Sequence, residues 1–206
     1  MTKIFIEAKN NKTSEYHFLQ TILNLFFPEK EVEFIFMNGI GNLYNETICN
    51  QIGLAQEVGE QVVVIADADT AVKGFGYSRR KEEIDKGMVA HSLSFPYFLY
   101  PNNQDDGDVE ELMEKAARRD LHSAFFDCFE DYEKCVSGVK DESGESKYNV
   151  PNLKGKLHTY MSAQKLSRRL CNRFGSGDWL FDNKDYWNLD VDALQPLKDF
   201  FSTNLK

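Results

Sequence analysis

Val62-Val63-Val64-Ile65-Ala66-Asp67-Ala68-Asp69 is the stretch whose reading decides the fold. Four consecutive aliphatic residues and an alanine describe a strand covered on both faces, as in a parallel sheet with helices on each side. Side chains alternate along a strand, so Asp67 and Asp69 are expected to point the same way, with Cα atoms about 6.5–7 Å apart. Two like charges at that spacing require a cation. Parallel sheets bind ligands at the carboxyl ends of their strands, which is where these aspartates fall.

Reading outward, Lys3 to Glu7 forms a first short strand, Glu31 to Met37 a second, and Ser94 to Tyr100 a fourth after the central Gln61 to Ala66. Pro96 places the fourth at an edge. Between them lie helical patterns at Ser14 to Phe27, capped by Thr13 or Ser14, at Asn42 to Ala55, capped by Asn42, and at Ser78 to Lys86. Alternating strands and helices predict an α/β fold with a parallel sheet of about four strands flanked by helices. Beyond Tyr100 the pattern turns helical, at Asp108 to Arg119, Leu121 to about Val136, Leu157 to Phe174 and Val191 to Phe201. Gly138 to Asn149 is polar and reads as a mobile loop. The expected division is an α/β core over 1–120 and a C-terminal helical extension over 121–206, held on by Trp179, Phe181, Tyr186 and Trp187.

The 206 residues carry a net charge of -9 and are 42% hydrophobic, enough for one well-buried core. Such a charge argues against a protein that coats nucleic acid nonspecifically, but not against an enzyme acting on phosphates through a metal and a local basic patch. No apolar run approaches a membrane span and no signal-peptide pattern opens the chain, so a cytoplasmic location and no membrane partner are expected. Cys49, Cys128, Cys135 and Cys171 lack metal-site spacing and read as small, reduced core residues. The four histidines, His17, His91, His122 and His158, lack the company of a zinc site or a triad.

Glu7 ends the first strand as Asp67 and Asp69 end the third, so adjacency of those strands would gather three carboxylates on one rim. Such hard oxygen ligands suit Mg²⁺, or Mn²⁺ in its place. Lys9 and Lys73 lie near that rim and could steer phosphate, and Gly39 and Gly41 could let backbone amides approach it. Lys165, Arg169 and Arg173 recur on one helical face beside Arg168, either as a track for a nucleic-acid backbone or as a solvated basic face.

This arrangement resembles the Toprim fold of topoisomerases, primases and related nucleases. The resemblance covers about residues 3 to 115, through Ile4-Phe5-Ile6-Glu7-Ala8-Lys9-Asn10-Asn11, Asn38-Gly39-Ile40-Gly41 and Val62 to Asp69. Tyr100-Pro101-Asn102-Asn103 and Gly107-Asp108-Val109-Glu110-Glu111-Leu112 are similar to an uncharacterised bacterial Toprim-like family, and more loosely to the overcoming-lysogenization-defect nucleases. The resemblance implies catalysis by Glu7, Asp67 and Asp69, with Glu110 as an added metal ligand. It further implies Mg²⁺-dependent phosphodiester hydrolysis or phosphoryl transfer on nucleic acid or a nucleotide phosphate, with homo-oligomer formation left open. Ala8 and Asn11 depart from it, since Toprim chains usually have glycine and an acid there. Asn11 offers an oxygen without charge, and Glu15 compensates only if its helix begins late. A catalytically weak metal- or nucleic-acid-binding module is therefore the alternative. A glycosyltransferase would use an Asp-x-Asp strand end but leaves Glu7 and the 107–112 block unexplained. A haloacid-dehalogenase phosphatase needs threonine where Ala71 stands, and the acids around Gly107 do not follow the twelve-residue calcium-loop pattern.

Overall fold

The computed structural model describes residues 1–206. Four strands, β1 (Thr2–Ile6), β2 (Val32–Phe36), β3 (Gln61–Asp67) and β4 (Tyr97–Tyr100), form one parallel sheet in the order β2-β1-β3-β4. β1 and β3 are thus central and adjacent, in a register that pairs Ile4 with Val63. β4 lies at the edge, as Pro96 implied. Eight helices surround the sheet: α1 (Ser14–Phe26), α2 (Glu46–Glu57), α3 (Tyr77–Ala90), α4 (Val109–Ala116), α5 (Ser123–Gly138), α6 (Leu153–Ser162), α7 (Arg168–Gly175) and α8 (Gln195–Asn204). None is long and apolar enough to cross a membrane.

Strand alternation sorts the sheet's side chains into two layers. Phe5, Val62, Val64, Ala66 and Leu99 pack against Ile48, Ile52 and Ala55 of α2 and Ile84 of α3. Ile4, Ile6, Val63, Ile65, Phe98 and Tyr100 meet a larger core, built from α1, α4, α5, α6, α8 and the Trp179–Leu189 segment. The C-terminal third therefore has no separate interior; it completes one face of the sheet. Trp187 is fully buried and its Nε1–H donates to the Trp179 carbonyl at 2.7 Å. Trp179 and Phe181 join it in that core, as the stapling role required.

Several local expectations change. Asn45, not Asn42, caps α2, accepting from the Ile48 N–H at 2.8 Å. The chain first makes a tight turn over Ile40–Asn42, entered through positive φ at Asn38 and Gly39, and the Asn42 amide closes it on the Met37 and Asn38 carbonyls. The long helix expected over 157–174 is two, because Ser167 caps a fresh start by accepting from the Leu170 N–H. Residues 139–149 are exposed throughout and are drawn together by a backbone bridge between Lys140 and Ser146.

The cysteines are not core residues. Cys128, Cys135 and Cys171 are exposed and Cys49 is half-buried. On α5 the buried stripe is Phe126 and Phe129, which turns Cys128 toward solvent at helical spacing.

A single shared core predicts that Trp187→Ala lowers stability by about 3–5 kcal/mol, the cost of a large aromatic cavity. Urea unfolding followed by far-ultraviolet circular dichroism and by tryptophan fluorescence should then shift as one transition. Two separated transitions would mean that the C-terminal third folds independently.

Candidate metal and phosphate site

Asp67 ends β3 on the face of Val63 and Ile65, and two hydrogen bonds hold it. Its backbone N–H donates to Glu7 Oε2 at 3.3 Å, and its Oδ1 accepts from the Val109 N–H at 2.9 Å. Val109 is the first residue of α4, so the carboxylate sits at a helix N-terminus, where unpaired N–H groups favour an anion. Glu7, past the end of β1, is placed by the backbone: its carbonyl accepts from the Gly39 N–H at 2.9 Å. That bond commits the Gly39 amide, and the φ of 105° there is what the turn demands of a glycine.

A pocket of about 210 Å³ opens at this rim, lined by Glu7, Ala8, Thr13, Glu15, Asp67, Val109, Glu110 and Lys154. Glu110, from the first turn of α4, is only 6% exposed and accepts from Lys154 Nζ at 2.7 Å. Glu15 enters from α1, which begins at Ser14 under a Thr13 cap. Its Oε1 is buried without a hydrogen-bond partner, as is the hydroxyl of the fully buried Tyr100. Four carboxylates thus share one pocket with one lysine.

The electrostatic consequence is direct. Burial, reinforced by Glu7 and Glu110, pushes the Glu15 carboxyl up to about 8. Burial, then the neighbouring Glu7, Glu15 and Glu110, holds Asp67 well above the usual carboxylate range. The Tyr100 hydroxyl rises for the same reasons, burial first and then the carboxylates it faces, Glu15 foremost. For Lys154 burial opposes the charge, but Glu110 outweighs it and the ammonium is strengthened.

Asp69 stands apart from this pocket. Its φ of 59° ends the strand alternation, and its backbone pairs in both directions with Gly107 at 2.8 Å. Both side-chain oxygens meet cations: Lys73 Nζ at 3.0 Å and Arg80 Nη2 at 3.0 Å. Arg80 is itself buried, reaches Glu83 at 3.1 Å and lies over the Phe75 ring at 4.2 Å. The expected Asp67–Asp69 pair is therefore divided between two environments. Lys73 belongs to the Asp69 cluster, with Asp108 Oδ2 at 4.0 Å. Lys9 and Asn11 are exposed on the loop that follows β1, outside the pocket lining, and Gly41 lies within the Ile40–Asn42 turn.

Glu15, expected to compensate for Asn11 only if its helix began late, enters the pocket although α1 begins at Ser14. In a strand–loop–helix unit of a parallel sheet, the first turn of the helix returns to the rim where the strand ended. Thr13 as a cap therefore already puts Glu15 beside Glu7.

The oxygen-only donor set and its excess negative charge suit a hard divalent cation such as Mg²⁺ or Mn²⁺, and the orphaned Glu15 Oε1 adds a donor with no other use. The carboxylates stand around the pocket instead of in a closed cage, for no three His, Cys, Asp or Glu groups are spaced to hold a metal as they stand.

These features define an α/β protein with an acidic pocket at the carboxyl rim of a parallel sheet. The family described as "Protein of unknown function (DUF3226)" matches residues 2–206, and the chain belongs to it. No curated protein and no solved structure matches the chain.

A carboxyl raised in the folded state binds more protons there than in the unfolded chain, so stability is lost as pH climbs from its unfolded value toward about 8. Glu15→Gln is expected to raise the melting temperature at pH 8 in chelator, by about 2–4 °C for each kcal/mol released, and to leave it nearly unchanged at pH 5. Equal shifts at the two pH values would show that Glu15 carries no such strain.

Proposed function

We propose that this chain is a Mg²⁺-dependent, Toprim-like enzyme that cleaves or transfers phosphodiesters of nucleic acid. The observation that carries the reading is the convergence of Glu7, Glu15, Asp67 and Glu110 on one pocket opposed only by Lys154. The Toprim resemblance of Glu7 and the β3 carboxyl end supports it, as does the adjacency of β1 and β3.

Asp67, Glu7 and Glu110 would hold the cation, with Glu15 within reach of the same pocket. When bound there, a divalent cation neutralises the pocket and polarises a phosphoryl oxygen. The protein's own groups do the rest. The Val109 N–H at the α4 N-terminus keeps the Asp67 carboxyl oriented. Lys154, whose side chain is 59% exposed, can leave Glu110 for an incoming phosphate oxygen. Glu7, held by the Asp67 N–H, serves as general base toward an attacking water, a role worth roughly 10²–10⁴ in rate. Lys73 and Arg80 keep Asp69 neutralised beside the pocket, so Asp69 acts by position more than by ligation.

A second reading is a binding module with the fold and one cation but no efficient chemistry. Asn11, neutral where Toprim chains carry an acid, and the engagement of Asp69 by two cations favour it.

Labelled single- and double-stranded DNA and RNA with Mg²⁺ or Mn²⁺ decide between the two. Asp67→Asn and Glu7→Gln should each reduce metal-dependent cleavage by about 10² or more, and Asp69→Asn by less than about tenfold. Cleavage indifferent to Asp67→Asn removes the enzyme reading. Mn²⁺ binding lost in that variant, without cleavage by the parent protein, selects the binding module.

A further inference from the structure

The chain is strongly acidic overall, yet residues 163–177 contain four basic residues and no acid, and the loop Ala8 to Thr13 contains Lys9 and Lys12 and no acid. The two segments are neighbours in space. A Cβ on Gly177, just past α7, would fall 2.3 Å from the Lys12 carbonyl, so the chain after α7 lies directly on that loop. Burial lowers the His17 imidazole of α1, and Asp178 and Arg173 lie close enough to act on it as well. Thr13, at the end of the same loop, lines the acidic pocket.

α7 is anchored from beneath. Phe174 stacks on His158 of α6 at 5.0 Å, and Arg173 is bound to Asp178 at 2.6 Å and Asp182 at 2.7 Å. Its outer surface is different: Arg168, Arg169, Asn172, Arg173 and Ser176 line a shallow, open depression of about 570 Å³. Lys165, Arg168 and Arg169, with Lys9 and Lys12, are all exposed, and none of the five is in an ion pair, whereas most other cations near carboxylates are. Five unpaired, exposed cations on two segments that touch at Gly177 and Lys12 would draw a polyanion to an otherwise acidic protein.

We infer that the α7 face and the Lys9–Lys12 loop form a docking track for the phosphate backbone of a nucleic-acid strand leading into the acidic pocket. This inference rests on the phosphodiester reading of that pocket and sharpens its substrate: a polymer rather than a mononucleotide. At 1.5 Å per residue α7 is about 12 Å long, room for about three phosphates of a strand rising roughly 3.4 Å per nucleotide. The contacts are to phosphate, so they position the strand without reading its sequence. Such a track also answers how an acidic protein approaches an anionic substrate. Screening confines each charge to about 8–10 Å, and within that range the strand meets the cations first.

The test is fluorescence anisotropy with a labelled 20-nucleotide single strand and the full chain in EDTA, where turnover cannot occur. Arg168→Glu/Arg169→Glu changes only exposed, unpaired side chains. It should weaken binding by at least about tenfold and flatten the slope of log K against log salt by about 1.4, two phosphate contacts at about 0.7 each. The charge-matched Lys115→Glu/Lys184→Glu, exposed, unpaired and outside both segments, should change neither strongly. Equal losses in the two double variants would overturn the inference, as would tighter binding of polyglutamate or of phosphatidylserine vesicles. Binding lost through α7 with no cleavage by the parent protein keeps the track and removes the phosphodiester reading. Parental cleavage rates and salt dependence in Arg168→Glu/Arg169→Glu remove the track alone.

Discussion

The N–H of Asp67 donates to Glu7 while the Asp67 carboxylate accepts from the first N–H of α4, so one residue joins the ends of β1, β3 and α4. That junction fixes where every other group of the pocket must stand. Glu110 follows because it is one residue past Val109 in the same helix turn. Glu15 follows because α1 begins directly after the loop from β1, and Lys154 because α6 packs beside α4. The result is a local charge imbalance that a well-packed protein would ordinarily avoid, since buried carboxylates without partners are costly.

The fold carries that cost through its larger core. Twenty-nine buried residues on one side of the sheet, among them Trp187, Phe18, Phe126 and Phe201, supply the apolar burial that holds the acidic rim together. The strain falls on groups already shifted, Glu15, Asp67 and Tyr100, all raised by burial first and by neighbouring carboxylates second. A bound cation reverses the sign of these interactions, because the largest local charge then favours every carboxylate. Clustered, perturbed carboxylates in a pocket at the carboxyl ends of parallel strands mark a place kept for function over stability.

Much of this was legible from residues close in sequence. The apolar runs before Glu7 and Asp67 specified two central strands, Pro96 an edge, and the alternation of strand and helix the parallel sheet. What was not legible depended on partners far along the chain. Asp69 leaves its expected face because Gly107 pairs with its backbone and Arg80 and Lys73 take its side chain, none of which the local alternation encodes. The cysteines of α5 face solvent because Phe126 and Phe129 hold the buried stripe, a choice set by packing against α6. The break between α6 and α7 was visible in principle, since Ser167 is a good cap, but a continuous helical periodicity through 157–174 masked it. Glu15 was weighed only as a compensating acid for a late helix start, yet it reaches the pocket from a helix that begins at Ser14 as expected.

Charge is distributed with the same economy. Cations near the rim fall into those that hold carboxylates, Lys73, Arg80, Lys154 and Arg173, and those that hold none, Lys9, Lys12, Lys165, Arg168 and Arg169. Of the first set only Lys154 lines the pocket, and the second set is exposed to solvent. The account turns on the claim that Glu7, Asp67 and Glu110, not the Asp67–Asp69 pair, form the cation position. Anomalous diffraction from a crystal of the protein soaked in Mn²⁺ tests this most directly. The account predicts a peak within the pocket bounded by Glu7, Glu15, Asp67 and Glu110. A peak between Asp69 and Asp108, or an ordered pocket with no peak at saturating Mn²⁺, would contradict it.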